Sequence, residues 1–132
     1  MIAESAEAHV DIRVSRMRDY PGLNRKFLSL KPRDKRCQLE ISGGLNRPPM
    51  ERTAGVVRLF QLAAKLARSM GVVLEESSTG GGSDGNFTAG LGVPTLDGIG
   101  GVGEGAHAAH ESIVVSRIAD RTALLGELVR CV

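Results

Sequence analysis

Two histidines and a glutamate stand close together near residue 110 and could take part in metal chemistry. His107 and His110 lie three residues apart in the run HAAHE, and Glu111 follows directly. On a helix, such a pair projects from one face and could chelate a metal ion. The preceding run GVGEGA disfavours a helix at His107, however, and a catalytic zinc ion requires about three protein ligands. The spacing alone is a weak signal for a self-contained metal site. The third histidine, His9, is interpreted as structural or exposed.

A glycine-rich loop is the second feature that could bind a ligand. Eleven of the 17 glycines fall between Gly80 and Gly105, where glycine permits positive φ or close approach of the backbone to a ligand. The strand-like run VPTL interrupts this region, which disfavours a flexible linker. Residues 79–84, TGGGSD, resemble an anion-binding loop whose backbone N–H groups cradle a carboxylate or phosphate. Because Ser83 stands where a Walker A loop requires lysine, we expect a small-anion cradle and not a nucleotide site.

Alternating strand and helix patterns must position these loops. Residues 8–14 and 37–41 are predicted to be short strands, separated by a helix with Pro21 in its first turn and Pro32 as its end. Glycine and proline pairs in residues 42–49, SGGLNRPP, mark a predicted subdomain boundary.

The clearest predicted helix follows this boundary. Thr53 is its predicted N-cap, and Gly71 is its predicted left-handed residue at the carboxyl end. A short strand is expected at 72–75, and Ser116 is expected to cap a final helix. That helix carries an apolar stripe of Ile118, Leu125, Leu128, Val129 and Val132. The alternation of helix and strand is typical of an α/β sheet.

Composition narrows the classes of partner. The chain has 132 residues with 3% aromatics and no tryptophan, so stacking platforms for nucleic-acid bases are scarce. Residues 16–36 hold eight Lys/Arg against two Asp, a local charge of +6. Such a stretch is either a solvated face or a phosphate-binding surface. Because Tyr20 and Phe27 are the only aromatics in this stretch, we expect no nucleic-acid partner.

The cysteines and the apolar runs bear on location. Cys37 and Cys131 show no CxxC spacing, so we expect reduced thiols in a cytoplasmic protein. No run of about 18 apolar residues exists, and the start MIAESAEAH lacks the regions of a secretory signal. We therefore expect no membrane partner.

Four segments occur in an order that is typical of one hydrolase family. They are SGGLNRPPMERT (42–53), EESSTGGGSDGNF (75–87), VPTLDGIG (93–100) and GAHAAHE (105–111). In this order they resemble the carboxyl-terminal part of M20 zinc metallopeptidases and amidohydrolases, most closely the glutamate-carboxypeptidase-like branch. Residues 8–14 are similar to the last strand of that family's inserted lid domain.

The resemblance implies an α/β fold in two parts. Residues 48–132 would be the carboxyl-terminal part of a phosphorylase/hydrolase-like zinc-peptidase catalytic domain. Residues 1–47 would be the end of a ferredoxin-like α+β lid, or dimerisation, domain with strand-helix-strand order. The complete family enzyme carries two zinc ions, and its lid domain pairs subunits.

The resemblance also implies roles for single residues. His107 corresponds to the family's last zinc ligand, whereas His110 receives no ligand role. Arg47 corresponds to the arginine that grips the substrate's terminal carboxylate, a task that suits a bidentate guanidinium. Thr79 and Gly82 correspond to positions that line the substrate site. Four further residues are interpreted as supporting positions: Asn46, Gly80, Gly81 and Ser83.

The departures from the family pattern determine what this chain can do alone. In the family, the His-x-Asp motif, the bridging Asp and the adjacent Glu pair that serve the metal site all precede the lid, and the resemblance implies that this chain starts late in the lid, after them. No catalytic residue is therefore assigned, and the chain is expected to be inactive by itself. The expected partners are a peptide or N-acyl amino acid substrate and a second copy or the missing amino-terminal half. The alternative is a non-catalytic interaction or assembly module that uses the lid strand edge and uncovered apolar surface.

Overall fold

The computed structural model describes residues 3–132, in which four α-helices are joined by long extended segments. The helices are α1 (Tyr20–Leu28), α2 (Ala54–Ser69), α3 (Gly85–Gly90) and α4 (Ile118–Cys131). Single turns of 3₁₀ helix, Met17–Asp19 and Val115–Arg117, lead into α1 and α4. The strands β1 (Gly103–Glu104) and β2 (Ser112–Ile113) pair antiparallel, with Gly103 opposite Ile113 and Glu104 opposite Ser112.

Helix α2 begins and ends where its sequence predicts. The Thr53 hydroxyl accepts a hydrogen bond from the backbone N–H of Val56 at 3.3 Å, so the predicted N-cap is confirmed. Gly71 has a φ of +74°, which also confirms the predicted left-handed residue. The N–H of Val72 reaches the carbonyl of Ala67 at 2.8 Å, and that of Gly71 reaches Arg68 at 3.1 Å. This pair of bonds is a Schellman motif, which stops the helix.

A small apolar core lies where α2 packs against α4. Ala63 and Ala67 of α2 are fully buried, and their small side chains allow the helices to approach closely. Leu124 and Leu128 of α4, four residues apart and therefore on one face, fill the other side together with Val72. Six partly buried residues surround this core: Leu62, Leu66, Met70, Leu74, Leu96 and Ile99. The packed interior is therefore confined to two helices and their flanks.

The chain exposes far more surface than a compact protein of its mass. Its accessible area is 11069 Å² at 14.0 kDa, whereas a compact monomer of that mass exposes about 6,700 Å². Part of this surface is the outer face of α4. Of the five residues in the predicted apolar stripe only Leu128 is buried, while Val129 and Val132 are 77% and 79% exposed. Most of the stripe is exposed because α4 turns a neighbouring face, that of Leu124, toward α2.

Three predicted strands do not form. Residues 8–14, 37–41 and 72–75 run without a ladder partner among residues 3–132, so the backbone pairing that defines a strand is missing. The described residues consequently form helices with one small antiparallel sheet and no parallel sheet. The lid and catalytic arrangement, with its boundary at 47/48, stays a prediction. The first two residues of the predicted 1–47 unit lie outside the described residues.

The helix boundaries correct two further details. Pro21 lies in the first turn of α1, as predicted, but α1 ends at Leu28, four residues before Pro32. Helix α4 begins at Ile118 after its 3₁₀ turn and has no side-chain cap, so Ser116 lies within the turn and is not its N-cap. Within the part of the chain that the structure covers, no helix combines the length and apolar character needed to cross a bilayer.

Candidate functional site

Arg47 lies beside the glycine loop and over an aromatic ring. Its guanidinium carbon is 5.2 Å from the centroid of the Phe87 ring, a cation–π geometry. Its Nη2 is 3.7 Å from Oδ1 of Asp84, whose side chain is 95% exposed. Gly82 faces the arginine stem, since a Cβ added there would lie 3.6 Å from Arg47 Cδ. The structure thus brings together Arg47, the end of the glycine loop and the start of α3, which we call the arginine cluster (Arg47, Gly82, Asp84, Phe87).

Some backbone groups of the glycine loop already form hydrogen bonds with nearby side chains. The Thr79 hydroxyl accepts the N–H of Gly81 at 3.2 Å, and the N–H of Ser83 donates to Asn86 Oδ1 at 2.8 Å. The carbonyl of Gly80 accepts a hydrogen bond from the Arg13 guanidinium. Two N–H groups of the predicted anion cradle are therefore already occupied. Arg47 is the group in this cluster that is best suited to bind a carboxylate, because its charge makes stronger hydrogen bonds.

Asn86 is a site residue that sequence reasoning missed. It is buried, and its side-chain amide bridges two segments: Oδ1 accepts from Ser83, and Nδ2 donates to the carbonyl of Pro48 at 2.8 Å. The available signal was a polar residue between Gly85 and Phe87. A buried amide must find partners, and here both partners are backbone groups next to the predicted substrate residues.

An ion pair five residues after Arg47 also connects this segment to the chain before the glycine loop. Arg52 Nη2 donates to Glu76 Oε2 at 3.2 Å, and a second bond joins Arg52 Nε to Oε1 of the same carboxylate. The hydrogen bond from Arg52 lowers the pKa of Glu76 below its usual range. The pair joins the chain just before α2 to the chain that enters the glycine loop. By contrast, none of the hydrogen bonds found in residues 3–132 ties the Asn46 side chain to the cluster.

His107 lies in the turn between β1 and β2. It is exposed, has a φ of +67°, and donates its backbone N–H to Glu111 Oε2 at 3.2 Å. The His110 imidazole lies against Gly105, where an added Cβ would be 2.7 Å from Cδ2. A non-glycine residue in the left-handed region is uncommon and is often found at functional sites, although histidine tolerates it better than most residues.

The donor atoms near His107 do not complete a zinc site. Across residues 3–132, no three His, Cys, Asp or Glu side chains gather closely enough to hold a metal ion. The Glu111 carboxylate is engaged by the His107 N–H, and no hydrogen bond or ion pair of the described residues joins this turn to the arginine cluster. An imidazole is chemically suited to zinc, but the described residues do not bring together the three ligands that a zinc site needs.

Comparison with known protein families decides the family. The family description "Peptidase family M20/M25/M40" matches residues 3–130. The chain belongs to this peptidase family. The M20 resemblance of the four ordered segments is thereby confirmed, and the family is one of hydrolases that generally bind metal ions. Neither the curated proteins nor the solved structures gave a match to this M20 chain.

Proposed function

We propose that this chain is part of a zinc-dependent M20 hydrolase that cleaves an amide bond next to a carboxylate-bearing amino acid. The enzyme would be of the carboxypeptidase or N-acyl-amino-acid amidohydrolase type. The observation that carries the proposal is the placement of the Arg47 guanidinium against Gly82 and above Phe87. A guanidinium with one face on a ring still presents its edge to solvent, and that edge matches the two oxygens of a carboxylate.

The roles of the remaining site residues follow from this assignment. Arg47 would bind the carboxylate, with the loop residues Thr79, Gly80, Gly81, Gly82 and Ser83 lining the substrate. His107 would contribute one ligand to a zinc site that other residues complete. When bound, zinc would supply Lewis-acid chemistry and a water of lowered pKa. Holding the substrate carboxylate at a fixed place would align its amide bond for attack.

The chain alone is proposed to be inactive. Among the described residues no three metal donors gather near His107, whereas hydrolysis needs a held metal ion and a general base. A separate amino-terminal half or a second copy would have to supply the missing ligands. Pairing through residues 1–47, the proposed lid remnant, is one way in which two copies would meet.

Zinc calorimetry with a parallel activity assay tests this proposal. We expect weak zinc binding by the purified chain, lost in His107→Ala, and no hydrolysis of N-acetyl-L-glutamate at saturating zinc. His9→Ala is the matched control, because His9 is an exposed histidine outside the site, and it should bind zinc as the wild type does. Turnover by the isolated chain would contradict the half-site. Zinc binding that is unaffected by His107→Ala would contradict the ligand role.

A second candidate function is a non-catalytic assembly module. Two observations favour it: the accessible area of 11069 Å² and the exposed apolar residues of α4, Val129 among them. Large uncovered apolar surfaces tend to bind a partner. Under this alternative, Val129→Asp should dissociate an oligomer, whereas Arg130→Asp, at the adjacent polar position, should not. Light scattering after size exclusion, with and without zinc, separates the two functions, because assembly would not depend on metal.

A further inference from the structure

We propose that Asn86 is the positioning residue that sets carboxylate affinity, because it fixes Arg47 against the glycine loop. The inference rests on the proposed function, in which Arg47 binds the substrate carboxylate. Asn86 itself would touch neither substrate nor metal. It would act through the backbone on both sides of the site.

The two bonds of Asn86 join the segments that carry the site. Its Nδ2 donates to the Pro48 carbonyl at 2.8 Å, one residue after Arg47, and its Oδ1 accepts from Ser83, one residue after Gly82. Pro48 and Ser83 are 35 positions apart in the chain, so only the fold brings them together. One buried amide therefore fixes the distance between the arginine and the loop.

Helix α3 reinforces this link at a second point. Gly90 lies four residues after Asn86, on the same side of the helix. An added Cβ at Gly90 would lie 2.3 Å from Pro48 Cγ, so Pro48 packs directly on the helix backbone. The ring of Phe87, in the same helix, packs against the Arg47 guanidinium. Six residues of α3 thus form a platform on which the 47–48 segment rests.

This platform should control affinity through preorganisation. A free arginine side chain loses rotamer freedom when it binds a carboxylate, and a movable backbone loses more. In the described structure the stem is already placed by Gly82 and Phe87, and the backbone by Asn86. Alanine at position 86 would leave the Pro48 carbonyl and the Ser83 N–H without their partner, and the segment would loosen.

Titration of the full chain with N-acetyl-L-glutamate, followed by NMR at low temperature, tests the inference. We expect weak wild-type binding, with a Kd of about 10 mM or higher because a charge-assisted pair contributes only about 1.5–3 kcal/mol, and its loss in Arg47→Ala. Asn86→Ala and Gly90→Ala should each weaken binding about tenfold or more. They should also remove the ring-current shift that Phe87 imposes on the Arg47 side-chain protons. Asn24→Ala and Gly126→Ala, which change the same residue types in α1 and α4, should bind as the wild type does.

The outcomes separate the inference from the function on which it rests. If the wild type does not bind the ligand, or Arg47→Ala binds equally well, both the carboxylate role and the inference are overturned. If Arg47→Ala loses binding while Asn86→Ala and Gly90→Ala keep wild-type affinity, the inference alone is overturned. A lower melting temperature with unchanged affinity would assign Asn86 a purely structural role. Far-UV circular dichroism establishes that each variant is folded, and Gly90→Ala decides the matter should Asn86→Ala unfold.

Discussion

Replacing Leu124 by alanine should be the most damaging truncation in the α2–α4 core. Leu124 is 1% exposed and is the largest fully buried side chain among the described residues. Leucine-to-alanine changes in cores cost about 2–5 kcal/mol, and more where the cavity cannot collapse. This core has only five buried residues and partly exposed flanks, which can relax into the space. We therefore expect the lower part of that range, about 2–3 kcal/mol.

Leu125→Ala is the matched control. It makes the same chemical change at the next position of α4, so the difference in helix propensity is the same and cancels. Leu125 is 41% exposed and lies outside the buried core cluster. Its truncation removes less buried area and should cost about 1 kcal/mol or less. The comparison of the two variants isolates burial from every other effect of the substitution.

Urea unfolding followed by far-UV circular dichroism measures both variants. With a slope of about 1.2 kcal/mol per molar urea, a loss of 2–3 kcal/mol lowers the midpoint by about 2 M. Leu125→Ala should shift it by less than about 1 M. An equal or larger shift for Leu125→Ala would refute the orientation of α4. Such a result would indicate that a partner covers the outer face of α4, as the assembly alternative requires. The urea midpoint would then depend on protein concentration.

Three further predictions concern charge, glycine and His107. Because Arg52 lowers the pKa of Glu76, this carboxylate stabilises the fold above its ordinary pKa of about 4.3, and that stability is lost as the pH falls through the lowered value. Glu76→Gln should therefore lower the unfolding midpoint at pH 7 but not at pH 2–3, and equal effects at both would contradict the pair. Gly126→Ala, which meets open space in α4, should stabilise by about 0.5–1 kcal/mol, while Gly55→Ala, whose Cβ would lie 2.5 Å from Pro94 Cγ, should destabilise. Thermal melting distinguishes the two, and the same sign for both would be inconsistent with the packing. Finally, His107→Gly should remove zinc binding without lowering the melting temperature, because glycine accepts the φ of +67° at least as well.

Local signals along the chain predicted the parts of the fold that depend on near neighbours. The limits of α2 follow from Thr53 and Gly71, which act within one turn of their own positions. The strands at 8–14, 37–41 and 72–75 were not predictable in the same way. Alternation of apolar and polar residues shows that a segment could be a strand, but a strand exists only when another segment supplies its hydrogen bonds.

The residues of the candidate site also differ in whether the sequence could predict them. Residue types and their order indicated the arginine, the glycine loop and the two histidines near residue 110. For Asn86 the sequence showed only a polar residue after Gly85, because its importance lies in two backbone groups, at Pro48 and Ser83, that are distant in sequence from each other. The face of α4 that turns inward was equally hidden, since a helix with a wide apolar arc can present either side to its neighbour.

The amino-acid sequence by itself thus determined the family, the helix α2 and the chemistry that single residues could perform. Only the tertiary structure decided that Leu124, and not Leu125, lies in the core, and that Arg47 meets Gly82 above Phe87. It also decided that no three potential metal ligands gather around His107 among the described residues. The physical reason is the sequence distance over which each feature is formed. Caps and turns depend on hydrogen bonds within a few residues, whereas packing faces and ligand sets depend on segments that meet only in the folded chain.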